Sequence, residues 1–290
     1  MIKTIKTYSS LFRVDNYIKN LFIFAPLFFG FQFDIGTIKN AFISFVLFCL
    51  IASSVYIFND IFDLKSDQKH PVKKLRPLPS GAISVKKAFV IGILLMLISL
   101  TITYMVNTAL FYVFISYLII NVFYNLYLKK VPIIDVLLIS FGFVLRILAG
   151  SYATDISASS WILIMTFLLS LFLGFSKRRA DVVLANANGL KAQNIRIFSV
   201  IAIDRIIFSL ATIIGITYTF YTISKEVIDR VGSSFVFITS IWVIVGIIRY
   251  IRVVRSSKKY KDPTAIVIGD WKLQCIILLW ISSFIILKYI

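Results

Sequence analysis

Histidine, glutamate and cysteine are almost missing from this 290-residue sequence. The only histidine is His70 and the only glutamate is Glu226, so a zinc site built from several histidines is excluded, and a Ser-His-Asp relay would need His70. The two cysteines, Cys49 and Cys275, each lie in a long apolar run, which favours small buried side chains over a disulfide or a catalytic thiol. These shortages limit the chemistry that the chain can perform.

Apolar residues dominate the sequence instead. Hydrophobic residues make up 59% of the chain, aromatic residues make up 16%, and the mean hydropathy is +0.92. A soluble surface does not tolerate this composition, so we predict a membrane protein. On a soluble protein the net charge of +18 would suggest nucleic-acid binding, but the hydropathy argues against a nucleic-acid partner.

Nine stretches are long and apolar enough to be read as membrane-spanning helices, the first of them weakly. They cover about residues 18–33, 39–58, 87–106, 109–127, 132–152, 160–176, 200–223, 234–250 and 270–289. No segment resembles a second, soluble domain. We therefore predict an all-α integral membrane protein with about nine transmembrane helices in a single polytopic domain over residues 1–290.

Basic residues are distributed unevenly along this arrangement. Most of the 31 lysines and arginines precede the first stretch or lie in alternate loops, and the opposite loops hold only Lys39, Lys225, Arg230 and Lys288. By the positive-inside rule, the N-terminus and the basic loops face the cytoplasm and the C-terminus faces outward. We expect a multi-pass protein of the cell (inner) membrane.

A cluster of carboxylates follows the second stretch, in the motif Asn59-Asp60-Ile-Phe-Asp63-Leu-Lys-Ser-Asp67. If the helix continues, Asn59, Asp63 and Asp67 fall at i, i+4 and i+8 with Asp60 one turn before Asp63, so they line one stripe at the cytoplasmic mouth. Clustered carboxylates repel one another unless a cation neutralises them. Such ligands suit Mg²⁺, which completes its shell with substrate phosphates. The alternative is a solvated helix end.

A basic loop comes next, His70-Pro-Val-Lys73-Lys74-Leu-Arg76-Pro-Leu-Pro-Ser-Gly81. Its prolines and glycine exclude a long helix and predict a loop over the aspartates. Its bases, Lys73, Lys74 and Arg76, are suited to clamp phosphate oxygens, Arg76 bidentately. A loop whose bases serve only membrane topology is the rival interpretation. For His70 a structural role in the loop is favoured over proton transfer.

Further along the chain, Arg146 and the charged group at residues 177–181 each have two interpretations. Arg146 lies about 14 residues into the fifth stretch, where an unpaired guanidinium is costly, so it should face the interior and meet a substrate anion or a structural carboxylate. Lys177 and Arg178 share a helix face with Asp181. These three residues form either a phosphate site or a local ion pair. Asp135 can be a simple charge at a helix N-terminus.

The Asn-Asp-x-x-Asp-x-x-x-Asp motif, the Arg-Pro-Leu-Pro-Ser-Gly segment and the helix count resemble the UbiA superfamily of intramembrane prenyltransferases over nearly the whole chain. This implies a UbiA-like bundle with a cytoplasmic-side active-site cavity and catalytic loops at about residues 59–86 and 177–199. The chain is also similar to the decaprenyl-phosphate phosphoribosyltransferase branch. That likeness rests on Arg13, Lys19-Asn20, the His-Pro-x-Lys-x-x-Arg-Pro loop, Tyr124-x-x-x-Leu-Lys129, Asp135, Gly-Phe-Val-Leu-Arg146-x-x-Ala-Gly150 and Lys177-Arg178-x-Ala-Asp181.

The branch resemblance implies Mg²⁺-dependent transfer of 5-phosphoribose from phosphoribosyl pyrophosphate to a polyprenyl phosphate lipid in cell-envelope biosynthesis. It implies catalytic and metal-binding roles for Asp60, Asp63 and Asp67, with Asn59 as a further metal ligand. Implied substrate-binding residues are Lys19, Asn20, Lys73, Arg76, Tyr124, Lys129, Asp135, Arg146, Lys177, Arg178 and Asp181.

Two rival functions remain open at the level of the sequence. One is a UbiA-type prenyltransferase that moves a prenyl group from a prenyl diphosphate to an aromatic or other acceptor. The other is a transporter or another non-enzymatic membrane protein. Prenyl-diphosphate users generally carry a second aspartate-rich motif, whereas this chain has three bases and the lone Asp181 at that place. Ionisable groups gathered at the cytoplasmic edge argue against a carrier. Lipid length and a homo-oligomeric state are left open.

Overall fold

The computed structural model describes residues 2–70, 72–187, 199–256 and 263–289. Pro71 of the basic loop and residues 188–198 of the predicted catalytic loop 177–199 lie outside the described residues. The α-helices are α1 (Ile2–Phe12), α2 (Ala25–Gly30), α3 (Ile35–Phe62), α4 (Leu64–Asp67), α5 (Val85–Val106), α6 (Thr108–Leu126), α7 (Ile134–Thr154), α8 (Ser160–Ala187), α9 (Val200–Ile223), α10 (Lys225–Val231), α11 (Ser240–Ser256), α12 (Pro263–Gly269) and α13 (Trp271–Tyr289). Short 3₁₀ helices cover Val14–Phe24, Lys73–Leu75, Leu128–Lys130 and Ser234–Thr239.

Eight helices within the described ranges are long and apolar enough to cross a membrane. They are Ile35–Phe62, Val85–Val106, Thr108–Leu126, Ile134–Thr154, Ser160–Leu184, Val200–Ile223, Ser234–Ser256 and Trp271–Tyr289. The protein is therefore an all-α, multi-pass membrane protein, as the sequence predicts.

The first predicted span, at about residues 18–33, is wrong as a single helix. A 3₁₀ helix over Val14–Phe24 is followed by the six-residue helix α2. Pro26 lies in the first turn of α2, where its missing N–H and its ring prevent the preceding turn from continuing as α-helix. At the other end Phe31 adopts a left-handed conformation that stops α2.

The chain divides into two compact units. The first unit comprises Met1–Lys129 and Phe141–Ser159, and the second comprises Lys130–Ser140 and Ser160–Ile290. Each unit carries part of the predicted functional set. The single polytopic domain remains a prediction.

In the first unit α3 packs against both α5 and α6. Ser99 Oγ donates to the carbonyl oxygen of Leu47 at 2.9 Å, and Ser54 Oγ donates to that of Gly92 at 2.8 Å, so α5 descends as α3 rises. Such small and hydroxyl-bearing side chains let membrane helices approach closely. On the other side of α3, the ring of Phe48 meets the ring of Phe114 of α6, with centroids 5.1 Å apart.

In the second unit α8 packs against α9, and α11 packs against α13. Its buried core includes Phe172, Ile207, Ile214 and Tyr250. Gly174 of α8 allows a close approach, because a Cβ at that position would lie 2.5 Å from a methyl group of Val136. This packing places the charged turn that follows Gly174 beside the start of α7.

Candidate active site

Two buried aspartates form the polar centre of the first unit. Asp60 and Asp67 are each 2% exposed. Arg76 Nη1 donates to Asp67 Oδ2 at 2.8 Å and to Asp60 Oδ1 at 3.3 Å, so one guanidinium nitrogen bridges the two carboxylates. Arg13 also pairs with Asp60, and Lys73 Nζ lies 3.6 Å from Asp67 Oδ1. The basic loop therefore does lie over the aspartates, as predicted.

The predicted aspartate stripe is not one uninterrupted helix. α3 ends at Phe62 and the chain resumes as α4 at Leu64, because Asp63 has a ψ of 3° and leaves the helical conformation. Asp60 and Asp67 still share a side, as their common contact with Arg76 shows, while Asp63 pairs with Lys129 Nζ. Within the described residues no three His, Cys, Asp or Glu side chains are gathered as a metal site. The metal role of this motif stays a prediction.

The residues present nevertheless fit a hard divalent ion. Asn59 Oδ1 is buried and has no hydrogen-bond partner in the part of the chain that the structure describes. An unpaired buried amide oxygen is costly, and Asn59 stands next to Asp60 in the chain. Amide and carboxylate oxygens are the ligands that Mg²⁺ takes.

His70 has a structural place in the basic loop. Its Nδ1 accepts hydrogen bonds from the backbone N–H groups of Val72 and Lys73, at 3.2 and 3.3 Å, and so holds the turn that leads to Arg76. Loss of water contact, followed by the nearby charge of Lys73, lowers the pKa of His70 below its ordinary value. A lowered pKa keeps the imidazole neutral and able to accept these bonds at neutral pH.

Arg146 is buried inside α7 and 4% exposed. Its Nε donates to Asn20 Oδ1 at 2.8 Å, its Nη1 donates to the carbonyl oxygen of Gly142 at 2.7 Å, and no carboxylate of the described residues forms an ion pair with it. The predicted residues Asn20 and Arg146 are thus brought together. The guanidinium is also enclosed by three aromatic rings, with centroids 4.8 to 5.3 Å away: Phe48, Tyr117 and Phe143.

A second charged group lies in the second unit. Arg178 of α8 pairs with Asp135 at the start of α7, and its Nη1 donates to Asp181 Oδ2 at 3.2 Å. Asp135 is 5% exposed. The structure therefore brings together three of the predicted residues, and it makes Asp135 more than a charge at a helix N-terminus. Lys177 precedes Arg178 on the same helix.

The remaining predicted residues lie in the first unit. Lys19 belongs to the 3₁₀ helix Val14–Phe24, and Tyr124 lies in the last turn of α6. Arg13 is not among the site residues predicted from the sequence, where it only supports the family likeness. In the structure it pairs with Asp60. Its left-handed backbone, with φ of 51°, starts the 3₁₀ helix, and no signal in the sequence indicates this conformation.

Comparisons with known proteins identify the family of this chain. The sequence model of the UbiA prenyltransferase family matches residues 22–286. The chain belongs to this family. Among relatives of this UbiA-family protein, the decaprenyl-phosphate phosphoribosyltransferase of Mycolicibacterium smegmatis is 30% identical and aligns over 93% of this chain and 89% of its own length. The enzyme of the same name from Corynebacterium glutamicum is 28% identical, over 96% of this chain and 85% of its own.

A solved structure also resembles this UbiA-family chain. A UbiA homolog from Archaeoglobus fulgidus, bound to GPP and Mg²⁺, superposes with a TM-score of 0.71 at 19% identity and covers 98% of this chain and 100% of its own. At this identity the likeness shows the fold alone. The predicted UbiA-like fold is thereby confirmed, and the protein is a membrane transferase of the UbiA superfamily.

Proposed function

We propose that this protein transfers 5-phosphoribose from phosphoribosyl pyrophosphate to a polyprenyl phosphate and releases pyrophosphate. The observation that carries the proposal is the group around Arg178. Here the two carboxylates of Asp135 and Asp181 share one guanidinium, that of Arg178, so this group contains a base together with its acids. Arginine binds phosphate oxygens bidentately, which suits a donor whose sugar carries a phosphate besides the leaving group. The two phosphoribosyltransferase relatives, at 28% and 30% identity, support the same donor.

In this proposal Asn59, Asp60, Asp63 and Asp67 would hold Mg²⁺, which when bound supplies positive charge to the departing pyrophosphate. Lys73 and Arg76, already beside Asp60 and Asp67, would bind phosphate oxygens of the donor. The bond between the sugar C1 and pyrophosphate breaks, and an oxygen of the lipid phosphate bonds to C1.

The acceptor needs positioning and no strong base. A lipid phosphate is already an anion at neutral pH, so the chain has only to hold it near C1 against the repulsion of the donor. Basic and polar residues of the first unit would serve this purpose: Lys19, Asn20, Tyr124, Lys129 and Arg146. In the second unit Lys177, Arg178, Asp135 and Asp181 would bind the 5-phosphate. The absence of a proton-transfer task fits the structural use of the only histidine.

The excess of basic residues in alternate loops supports an orientation for this chemistry. We place the N-terminus and the active-site residues on the cytoplasmic side of the cell membrane and the C-terminus outside, by the positive-inside rule. Water-soluble phosphoribosyl pyrophosphate would then reach the site from the cytoplasm.

The test uses purified full-length protein with labelled phosphoribosyl pyrophosphate, Mg²⁺ and polyprenyl phosphates of several lengths. We expect a labelled lipid and pyrophosphate, and a loss of about 100-fold or more in the Asp63→Asn variant, because a carboxylate that would hold the charge-stabilising Mg²⁺ is removed. Asp229→Asn, an exposed aspartate of α10, is the matched control. Full turnover by Asp63→Asn would contradict the proposal, as would transfer from geranyl diphosphate with none from phosphoribosyl pyrophosphate.

A further inference from the structure

Asn125, near the end of α6, is a buried polar residue to which the proposed mechanism gives no role. It is 8% exposed, and its Oδ1 atom has no hydrogen-bond partner among the described residues. Asn59 Oδ1 on α3 is also buried and also has no hydrogen-bond partner among these residues. Buried amide oxygens are nearly always paired in native proteins, so each of these two calls for a ligand or another explanation.

The packing of α3 against α6 shows where the two amides lie. Phe48 contacts Phe114, and Asp63 pairs with Lys129. In both contacts the second residue follows the first by 66 positions in the sequence. A constant separation means that the two helices run parallel in one register. Asn59 and Asn125 have the same separation and lie between these two contacts.

The helical period also puts both amides on the facing sides. Asn59 follows Phe48 by eleven residues, and Asn125 follows Phe114 by eleven residues. Eleven residues are close to three turns of 3.6 residues, so each asparagine projects from its helix in the direction of the phenylalanine. Because those rings meet, the two asparagines are at one level on facing sides of α3 and α6. The Asp63–Lys129 pair lies one turn further on.

We propose that Asn125, together with Asn59, binds a hydroxyl group on the sugar ring of the donor. Neither amide oxygen accepts a hydrogen bond from the described residues, so each can accept one from an O–H group. The ribose of phosphoribosyl pyrophosphate carries two free hydroxyl groups, whereas a prenyl diphosphate chain carries none. An amide oxygen has two lone pairs, so Asn59 can accept this bond and also ligate Mg²⁺. The inference rests on the proposed function and makes Asn125 a residue that selects the donor.

The test measures ligand binding by calorimetry on the full-length protein in detergent. In Asn125→Leu we expect the Kd for phosphoribosyl pyrophosphate with Mg²⁺ to rise about 10-fold, which corresponds to about 1.4 kcal/mol. The Kd for pyrophosphate with Mg²⁺ should not change, because pyrophosphate has no sugar hydroxyl. The thermal midpoint should not fall, because Asn125 Oδ1 gives up no bond within the described protein.

Asn121→Leu is the matched control. Asn121 lies one turn earlier on α6, and its Nδ2 already donates to the carbonyl oxygen of Tyr117 at 2.8 Å. We expect this variant to leave the ratio of the two dissociation constants unchanged. A change in that ratio only in Asn125→Leu is the result that supports the inference.

Three results would overturn it. An unchanged Kd for phosphoribosyl pyrophosphate in Asn125→Leu would show that Asn125 does not contact a hydroxyl group of the donor. An equal loss of pyrophosphate binding would make Asn125 a metal ligand, and a lowered thermal midpoint would mean that the two amides bond to each other. Wild-type protein that binds geranyl diphosphate but not phosphoribosyl pyrophosphate would overturn the proposed function itself, which is a separate failure.

Discussion

Replacing Arg76 by methionine tests how the buried pair Asp60 and Asp67 is held in the folded protein. Methionine keeps much of the length of the side chain and removes the charge that bridges the two carboxylates. Arg13 and Lys73 remain beside the pair, so the variant isolates the contribution of the bridge. We expect it to fold with a lower free energy of unfolding than the wild type.

The distances give the size of the effect. Arg76 Nη1 is 3.3 Å from Asp60 Oδ1 and 2.8 Å from Asp67 Oδ2, so these two oxygens are at most about 6.1 Å apart, the sum of the two distances. At an effective dielectric constant of about 20, two unit charges at this distance repel by about 3 kcal/mol, and in the wild type the guanidinium offsets this repulsion. Removing one partner of a buried ion pair costs about 3–5 kcal/mol, and because Arg13 and Lys73 remain beside the pair we expect a loss of about 2–3 kcal/mol.

The assay is denaturant unfolding in detergent at neutral pH, with a chelator and then with excess Mg²⁺. We expect Mg²⁺ to stabilise the Arg76→Met variant more than the wild type, because a cation would bind the freed carboxylates. Lys74→Met removes a charge from the same loop that forms no ion pair among the described residues, and it serves as the control. An Arg76→Met variant as stable as the control in chelator would refute the reasoning.

Two further predictions concern the backbone of the first unit. Gly150→Ala would place a Cβ 2.0 Å from the backbone carbonyl oxygen of Ile23, in the 3₁₀ helix Val14–Phe24. We therefore expect the free energy of unfolding to fall by about 1–3 kcal/mol, measured as a lower thermal midpoint. Gly215→Ala is the control and should lose no stability, because the space around Gly215 is open. Because the pKa of His70 is lowered, neutral His70 holds the turn of the basic loop at every pH above 6.5, the ordinary pKa of histidine. This stabilisation of the turn is lost as the pH falls through the lowered pKa. Limited proteolysis of the loop should quicken on acidification in wild type but not in His70→Asn, whose side-chain oxygen still accepts; equal acid sensitivity would contradict this role.

The sequence predicts the spans and much of the candidate site because both depend on local patterns. Apolar runs identify the eight long helices, and the spacing of Asp60 and Asp67 already puts them on one side. The surroundings of Arg146 could not be predicted, because Phe48 and Asn20 come from distant parts of the chain. Asn125 gave no signal, since only the register between α3 and α6 brings it level with Asn59.

The surroundings of Arg146 also constrain how the protein is made. A lone arginine near the middle of a helix costs about 2.5–3.5 kcal/mol during insertion into the bilayer. Asn20, Phe48 and Tyr117 all precede Arg146 in the chain, and Gly142 and Phe143 belong to its own helix. When α7 leaves the ribosome, the groups that surround its arginine in the described part of the chain have therefore all been synthesised. The earlier segments can therefore contact the guanidinium as soon as α7 enters the bilayer. A fragment that begins at α7 would have to insert Arg146 into lipid without these contacts.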